Sequence, residues 1–349
     1  TGGHVFPALA VAEILRERGE QIVWLGTTRG IEARLVPAAG FNIEWLNVQG
    51  LRGKGAVTLL LAPFRLLRAC WQVLRLFKRL RPKAVLGMGG FVSGPGGLMA
   101  WMLRIPLFLH EQNSVSGLTN RLLNRLARRN YFAFEEAVKS TPRSLCIGNP
   151  VRASLLGIDE PRIRMQPRMQ QPMQLLVIGG SLGAATLNRV IPQAIACLDR
   201  ERRPRIWHQC GEKHLQQCRQ NYADAGIEAE VVSFIDDMRE VYSWADLVIC
   251  RAGALTITEL SVVGVASLLI PFPHAVDDHQ YFNALSLLQG NAAQILQESE
   301  LSVESLALKL QFFQQNREVL VEMAEQARAR AQADAAEQLA NGILAEIQR

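Results

Sequence analysis

Several features of membrane-spanning and metal-dependent proteins are missing from this 349-residue sequence. No apolar run approaches the roughly 18 residues that a membrane-spanning helix requires, and the opening residues do not resemble a signal peptide. The six cysteines include no Cys-x-x-Cys pair, and the six histidines include no His-Glu-x-x-His pattern. The sequence therefore predicts reduced, mostly buried thiols and no zinc site.

Aspartate is absent from the first part of the chain, and charge is divided unevenly. Residues 1–150 carry 20 Lys and Arg against 8 Glu, whereas residues 151–349 carry 18 basic against 24 acidic residues. A basic half of this kind indicates contact with something anionic, such as nucleic acid, an acidic membrane surface or a phosphorylated substrate.

Short β-rich runs alternate with helical patterns, which predicts an α/β fold with parallel sheets in two domains. Pro7 is expected to open the first helix and Gly19 to close it, and a longer helix is predicted over 63–80. Residues 157–172 are aperiodic and contain three prolines, so we expect an interdomain linker there. The predicted strands are 21–25, 41–46, 84–86 and 106–109 in the first half, and 174–178, 205–209, 230–234, 247–250 and 267–270 in the second.

Four segments share the arrangement of a strand, a glycine-rich loop and a helix. Glycine allows a sharp turn and close backbone approach, and the helix N-terminus behind it offers unpaired N–H groups that suit a phosphate. Each segment alone could equally be a tight turn, but four of them, in both halves, favour a diphosphate-binding cleft. The segments are 1–4, 87–97, 179–183 and 251–254.

The usual nucleotide fingerprints are absent. Gly87 and Gly89 begin a GxGxxG pattern that Val92 breaks, and no GxxxxGK[ST] loop occurs, which argues against an ATP or GTP hydrolase. The sequence also lacks a DxD metal-binding pair. We therefore expect a departing diphosphate to be stabilised by helix N-termini and side-chain donors, with no obligate metal and no other cofactor.

Three segments together closely resemble the MurG family of glycosyltransferases. They are residues 1–8, residues 87–97 with His110-Glu111-Gln112-Asn113, and residues 251–256 with Glu259. The likeness covers essentially the whole chain, and its motifs are specific because they occur together and in order. Further matching motifs lie at 50–55, 148–152 and 234–238.

The resemblance implies a GT-B fold, in which two Rossmann-like domains with parallel sheets face a cleft. The first domain would be 1–155 and the second, which binds the donor, 156–331, with a final helix at about 332–349 returning to the first. Family members have a strand and further glycines before the position of Thr1, so we expect the acceptor loop to be incomplete as the sequence stands. His279-Gln280 replaces the two glutamines of many members.

The implied reaction is inverting transfer of N-acetylglucosamine from UDP-N-acetylglucosamine to the muramyl 4-hydroxyl of lipid I (undecaprenyl-diphospho-N-acetylmuramoyl pentapeptide). The product would be lipid II for peptidoglycan synthesis. The resemblance also implies a peripheral protein at the cytoplasmic face of the bacterial inner membrane, and no nucleic-acid partner.

Site residues follow from the resemblance by position. Ile235 would meet the uracil through its backbone, Ser181 the diphosphate, and Glu259 the ribose hydroxyls. The implied donor-site residues are Thr1, Gly2, Gly3, Asn113, Arg152, Ser181, Ile235, Ala254, Leu255, Thr256, Ile257, Thr258, Glu259 and Gln280. The implied acceptor diphosphate loop contains Gly89, Gly90, Ser93 and Gly94.

Two side chains are candidates for the base that deprotonates the acceptor hydroxyl. His4 has an unperturbed pKa of about 6.5, but it could instead cap the following helix or bind acceptor phosphate. Glu111 follows a predicted strand at its carboxyl end, where α/β ligand sites occur, but it could also orient a neighbour or pair with an arginine. For Glu259 the alternative role is a capping box, because it follows Thr256 by three residues.

The segment from Lys54 to Lys83 contains eight basic residues and no acidic one. This predicts a face that rests on anionic lipid, although a solvated basic face is the commoner structure. On the predicted helix the basic side holds Arg65, Arg68, Arg75 and Arg79, the core side holds Leu66, Cys70, Val73, Leu74 and Phe77, and Phe64 and Trp71 lie between.

Two other functions remain open. Another UDP-sugar enzyme on the same fold, such as a lipid glycosyltransferase or a UDP-sugar epimerase, would share the donor loops and differ in the acceptor half. A nucleic-acid-binding module would fit the basic first half, but we find no recognised nucleic-acid motif.

Overall fold

The computed structural model describes residues 2–28, 30–46, 48, 62–138 and 141–348. The chain divides into two compact units, residues 1–152 with 332–349, and residues 153–331. The division falls after Arg152 rather than after residue 155. Thr1, the matching motif at 50–55 and the start of the basic segment at Lys54 lie outside the described residues.

The described part of the first unit contains two parallel sheets, one pairing β1 with β2 and one in the order β3-β4-β5-β6. A 3₁₀ turn follows β5. The strands are β1 (Val23–Gly26), β2 (Asn42–Trp45), β3 (Val85–Gly87), β4 (Leu107–Glu111), β5 (Arg129–Phe132) and β6 (Ser144–Cys146). The helices are α1 (Gly2–Glu17), α2 (Glu32–Ala38), α3 (Ala62–Leu80), α4 (Ser93–Met102), α5 (Leu118–Leu123) and the final helix, Ala335–Ile347.

The final helix packs against α1 and belongs to the core of the first unit. Val11 and Leu339 are fully buried there, and burying a side chain of this size contributes roughly 1.5–3 kcal/mol. Gly342 permits the close approach, because a Cβ at this position would lie 1.9 Å from the hydroxyl of Tyr131. Residues from opposite ends of the sequence therefore form one core.

The start of α1 differs from the prediction, whereas its end does not. The helix includes Gly2, so Pro7 lies inside it and does not open it. The helix already includes the residues before Pro7. Proline inside the helix removes one backbone hydrogen bond because it has no N–H. Gly19 ends the helix as predicted, with a positive φ of 86° and an N–H that donates to the carbonyl of Arg16.

Helix α3 occupies almost the predicted range, but its faces differ in one respect. Cys70, Val73 and Phe77 are buried as expected, whereas Leu66 is 48% exposed. The first two turns of the helix carry no buried side chain, so an apolar residue on the core-facing side of the helix does not reach the core there. None of the helices in the described ranges has the length and apolar character needed to cross a membrane.

The second unit contains one parallel sheet in the order β12-β11-β10-β7-β8-β9. Short 3₁₀ turns interrupt its loops. The strands are β7 (Gln174–Ile178), β8 (Arg205–Gln209), β9 (Glu230–Val232), β10 (Leu247–Cys250), β11 (Ala266–Leu269) and β12 (Ala293–Ile295). The helices are α6 (Ala153–Leu156), α7 (Pro161–Met165), α8 (Ala185–Ala196), α9 (Leu215–Asp224), α10 (Met238–Trp244), α11 (Ala254–Val263), α12 (His279–Leu288), α13 (Val303–Gln315) and α14 (Arg317–Ala329).

Strand prediction succeeded where strands are apolar on both faces. Central strands β7 and β10 have the predicted bounds, and all four residues of β10 are buried. Three strands were missed, β5, β6 and β12. They are three or four residues long and include polar residues such as Arg129 and Gln294, so no apolar run marks them.

The stretch predicted as a linker is part of the second unit. Pro161 begins α7, and Met165 at its end is 1% exposed. A five-residue helix is too short to show periodicity in the sequence. Arg168, just beyond it, donates to the carbonyl of Trp244 and lies 3.2 Å from the buried carboxylate of Asp246, which fixes this stretch to the sheet.

The six cysteines are free thiols. Four are buried, as predicted, whereas Cys146 is half-buried and Cys197 is exposed. Burial raises the pKa of Cys250 to about 12, so this thiol is protonated at neutral pH.

Candidate active site

His4 lies in the first turn of α1, and not in a loop as the sequence suggested. Gly89, in the turn after β3, has a φ of 86°, and a Cβ added there would lie 3.2 Å from Nε2 of His4. The structure therefore brings the candidate base next to the predicted acceptor loop. Burial lowers the pKa of His4 to about 4, against a smaller opposing effect of Glu32, so the imidazole is neutral at pH 7.

The predicted acceptor loop is organised by its own serine. The hydroxyl of Ser93, at the start of α4, donates to the carbonyl of Gly89 at 2.6 Å. Gly89 and Gly90 both have positive φ values, which side chains other than glycine rarely adopt. Gly94 lies in the first turn of α4. The loop thus presents backbone beside a helix N-terminus, which suits a phosphate.

Glu111, at the end of β4, is held by neutral donors from the loop that follows it and from helix α5. Its carboxylate accepts hydrogen bonds from Asn113 N at 3.2 Å and Asn113 Nδ2 at 3.4 Å, from Gly117 N at 2.9 Å and from Asn120 Nδ2 at 2.9 Å. Glu111 as a whole is 4% exposed. Among the roles open from the sequence, this geometry favours orienting the neighbour Asn113.

His110, beside it, is a buried structural histidine. Its Nε2 donates to the carbonyl of Gly148 at 2.9 Å, and its Nδ1 accepts from Gln112 at 3.2 Å. Burial lowers the pKa of His110 to about 4, although the Gly148 bond opposes the shift. The neutral ring therefore ties the HEQN segment to the loop that leads to Arg152.

Arg152 ends the first unit, and its guanidinium lies 4.5 Å from the ring centre of Phe6 on α1. This cation–π contact links the 148–152 motif to the helix that carries His4. Within the first unit, the structure thus brings together most of the site residues implied for it, namely Gly2, Gly3, His4, Gly89, Gly90, Ser93, Gly94, Glu111, Asn113 and Arg152.

In the second unit, the loop after β7 fits tightly against the loop after β8. Gly183 has a φ of 77°, and a Cβ there would lie 2.0 Å from the carbonyl oxygen of Cys210. Gly180 also has a positive φ, 80°, but the space around it is open. Ser181, between them, is exposed, so its hydroxyl and the neighbouring backbone face outward before α8 begins.

Gln209, at the end of β8, connects two of the predicted donor loops. Its Nε2 donates to the carbonyl of Gly180 and to that of Ser233, both at 3.0 Å. Ser233 precedes Ile235, whose side chain is buried, so only its backbone is placed to meet a ligand. Sequence reasoning missed Gln209, since a glutamine inside a strand carries no signal of its own.

Helix α11 begins behind the glycine of the fourth segment. Gly253 is its N-cap, and the residues from Ala254 to Thr256 form its first turn. Because Thr256 is not the N-cap, the capping-box role considered for Glu259 is wrong. Glu259 lies in the second turn, is 4% exposed, and accepts a hydrogen bond from the hydroxyl of Tyr242 at 3.1 Å. Ile257 and Thr258 lie between, and Thr258 donates to the carbonyl of Ala254.

Gln280, in the first turn of α12, accepts a hydrogen bond from the backbone N–H of Phe272 at 2.9 Å. Asp277 and Asp278, just before α12, have positive φ values of 54° and 49°. Two consecutive non-glycine residues in this conformation are uncommon and tend to occur at functional loops. The structure therefore places Gln280 behind a strained turn at the carboxyl edge of the sheet.

Arg251 joins the fourth segment to two other loops at this edge. It forms an ion pair with Glu298 at 2.5 Å and donates to the carbonyl of Ile270 at 3.1 Å. Glu298 also accepts from the hydroxyl of Thr186 in α8. Although burial alone would raise it, hydrogen bonds from Arg251 and Thr186 leave the pKa of Glu298 below its usual value.

Comparison with known proteins now gives the family. The profile of the glycosyltransferase family 28 N-terminal domain matches residues 1–132, and that of the family 28 C-terminal domain matches residues 174–339. The chain belongs to glycosyltransferase family 28. These matches confirm the assignment as a glycosyltransferase, and the relatives and the solved structure described next confirm the resemblance to MurG enzymes and the α/β fold of the GT-B class.

Two relatives resemble this chain in sequence over nearly its full length. A protein of Dechloromonas aromatica (strain RCB) is 50% identical over 347 residues, 99% of this chain and 96% of its own. A protein of Paraburkholderia xenovorans (strain LB400) is 51% identical over 344 residues, 97% of this chain and 91% of its own. Both are named UDP-N-acetylglucosamine–N-acetylmuramyl-(pentapeptide) pyrophosphoryl-undecaprenol N-acetylglucosamine transferase.

Solved structures agree with this assignment. The crystal structure of Acinetobacter baumannii MurG is 40% identical with a TM-score of 0.82, over 99% of this chain and 96% of that one. A UDP-GlcNAc 2-epimerase from Neisseria meningitidis, solved with UDP-GlcNAc bound, has a TM-score of 0.67 but only 10% identity, over 98% of this chain and 96% of that one. The epimerase therefore shares the fold alone.

The two left-handed glycines of the loop after β7 allow a matched test. Gly180→Ala should lower the free energy of unfolding of the second unit by about 1 kcal/mol, because only the backbone is strained. Gly183→Ala should cost about 3 kcal/mol, because its Cβ also meets a backbone carbonyl. Urea denaturation of both variants and the parent measures the difference. Equal losses would show that the contact with Cys210 does not constrain the loop.

Proposed function

We propose that this protein transfers N-acetylglucosamine from UDP-N-acetylglucosamine to lipid I, with inversion, and so makes lipid II. The observation that carries the proposal is the 50% identity, over 99% of the chain, to a transferase named for this donor and this acceptor. The main alternative, a UDP-sugar epimerase, has only the fold in its favour, since the epimerase structure is 10% identical.

The second unit is proposed to bind the donor. Its glycine loop at 179–183 and the start of α11 both stand at the carboxyl edge of the sheet, where N–H groups at helix N-termini suit a diphosphate. Ser181, Ala254, Leu255 and Thr256 would face the diphosphate and sugar, and Glu259 the ribose. Because the sequence has no DxD pair, we propose that these donors stabilise departing UDP without an obligate metal.

The first unit is proposed to bind the acceptor and to supply the base. His4 adjoins the Gly89 loop and is neutral at pH 7, so its ring can accept a proton from the acceptor hydroxyl. A bound diphosphate beside it would favour the imidazolium and raise its pKa. Glu111 is proposed to orient Asn113, since neutral donors already occupy its carboxylate.

We also propose that α3 rests on the anionic cytoplasmic face of the inner membrane. Phe64, Leu67 and Trp71 are 70%, 67% and 51% exposed, and helical spacing puts them on one side with Arg68 and Arg75. The Arg75 guanidinium lies 3.6 Å from the ring centre of Trp71. Arg79 pairs with Glu44 at 2.6 Å, so we expect it to contribute less to the lipid contact than the sequence predicted. Arg65, the fourth basic residue of the predicted face, lies in the first turn of the helix.

Transfer of radiolabel from UDP-N-acetylglucosamine to a lipid I analogue tests the proposed reaction. We expect a labelled disaccharide lipid of inverted anomeric configuration and no product without the acceptor. Activity should persist after treatment with a metal chelator. Release of an epimerised sugar in the absence of acceptor would contradict the proposal.

His4→Gln tests the proposed base. It should lower kcat by roughly 100-fold or more, within the range of general base catalysis, and leave the affinity for UDP within about twofold because the groups proposed to face the diphosphate and the ribose are in the second unit. The pKa of His4 in the free enzyme is about 4, so the ring is protonated, and cannot act as a base, only near or below that pH. The parent's kcat/KM should therefore fall only as the pH approaches 4. An inflection near pH 6.5 that His4→Gln abolishes would show that burial does not set this pKa.

Vesicle sedimentation tests the lipid contact. The parent should bind phosphatidylglycerol vesicles more tightly than phosphatidylcholine vesicles and release them with added salt. Arg68→Gln should weaken binding to the anionic vesicles roughly fivefold, and Trp71→Ala should weaken binding to both. Phe312→Ala, which removes an aromatic residue that is 45% exposed on the second unit, is the control. Equal loss in all three variants would overturn the proposal.

A further inference from the structure

Helix α10 connects two places where the proposed donor site meets the nucleoside. It begins after Ile235, which is expected to meet the uracil through its backbone, and Asp237 is its N-cap. The Asp237 carboxylate accepts from Arg239 N at 2.9 Å and Glu240 N at 3.2 Å. Near its other end, Tyr242 points to α11, the helix that carries Glu259. The helix therefore spans from the uracil loop to the ribose carboxylate.

The contact between Tyr242 and Glu259 is a buried hydrogen bond. The Tyr242 hydroxyl donates to Oε2 of Glu259 at 3.1 Å, in a place where Tyr242 is 0% and Glu259 4% exposed. A carboxylate is costly to bury without donors, and a hydrogen bond to an ionised group is stronger than a neutral one. The phenol therefore restricts how the Glu259 carboxylate can rotate.

The backbones of α10 and α11 are held together independently of this hydroxyl. Arg164 donates to the carbonyl of Tyr242 at 3.1 Å and to that of Val263, near the end of α11, at 3.2 Å. A guanidinium at two helix C-termini also interacts favourably with their dipoles. Burial lowers the pKa of Arg164 to about 10, which leaves it charged at pH 7. Removing the phenol oxygen should therefore leave both helices in place.

We propose that Tyr242 is a positioning residue that fixes the Glu259 carboxylate toward the two ribose hydroxyls of the donor. The proposal rests on the proposed function, because it takes Glu259 as the ribose-binding group. It predicts that Tyr242 contributes to affinity only through those hydroxyls, and so to the preference for a ribonucleotide over a deoxynucleotide. The same bond connects the ribose group to the helix that follows the uracil loop.

Calorimetry with UDP and with 2′,3′-dideoxyuridine diphosphate tests this role on the full chain. Tyr242→Phe should weaken UDP binding roughly three- to tenfold, as expected for an indirect effect of one charge-assisted hydrogen bond. The dideoxy ligand lacks the hydroxyls that Glu259 would accept from, so the variant and the parent should bind it alike. In the transfer assay the same variant should raise the KM for UDP-N-acetylglucosamine by a similar factor and leave kcat within about twofold.

Tyr222→Phe is the matched control. Tyr222 is also a buried tyrosine of the second unit, and its hydroxyl donates to Nδ1 of His208 at 2.9 Å, away from Glu259. It should lower thermal stability without changing the ratio of UDP to dideoxy affinity. In a Glu259→Gln background, Tyr242→Phe should add less than its effect in the parent, because the two residues act as one unit.

The outcomes separate this proposal from the proposed function. A parent that binds neither UDP nor UDP-N-acetylglucosamine would overturn the function itself. If the parent binds UDP and Tyr242→Phe binds both ligands as well as the parent, or loses equal affinity for both, Tyr242 has no positioning role and the function stands. Loss of the hydroxyl preference in Tyr222→Phe would likewise overturn the proposal, since it would make the effect a general loss of packing.

Discussion

Parallel pairing of β7 with β10 is the constraint on which the candidate donor site depends. The register joins Ile178 to Cys250, so both strands end at the same level. The loop after β7 and the segment before α11 then leave the sheet side by side. Parallel strands must be connected by crossovers, and each crossover here supplies a helix whose N-terminus lies at that edge. One hydrogen-bonding pattern thus places N–H groups from separate parts of the sequence together.

Close contact between backbone segments fixes the loops that leave the carboxyl edge of the sheet. Gly183 and Gly211 lie so near to each other that a Cβ on Gly211 would come within 2.7 Å of the Cα of Gly183. Gln209 then holds Gly180 and Ser233 with one amide group. The first unit uses the same principle, with Gly89 against His4. Glycines in these loops therefore serve packing as well as ligand approach, so the two roles weighed from the sequence are not exclusive.

Much of the fold could be predicted from the sequence because its strongest signals are local. The buried strands β7 and β10 are apolar enough to be located to the residue, and Gly19 ends α1 by its own backbone conformation. The strands β5, β6 and β12 could not be found, since what makes them strands is pairing with a neighbour. The second unit's short helix α7 was taken for a linker because its stability comes from Arg164, Met165 and contacts with distant residues.

In the candidate site, too, local signals could be predicted from the sequence and long-range contacts could not. Glycine loops and the family motifs located Ser181, Glu259 and the Gly89 loop, yet the partners that orient them gave no sequence signal. Tyr242 is 17 residues from Glu259 and Asn120 nine from Glu111, spacings that belong to no turn, cap or helical face. The lowered pKa of His4 could not be predicted either, since its largest cause is burial of the ring in the folded chain.

Buried carboxylates in this protein accept hydrogen bonds from donors of different kinds. Asp246 faces two arginines, Arg168 and Arg317, which neutralise it inside the core. Glu111 accepts from neutral amide and backbone donors, and Glu259 accepts from the phenol of Tyr242. Neutral donors orient a carboxylate without cancelling its charge. An arginine in the place of these donors would also orient the carboxylate, but it would neutralise its charge, as it does at Asp246.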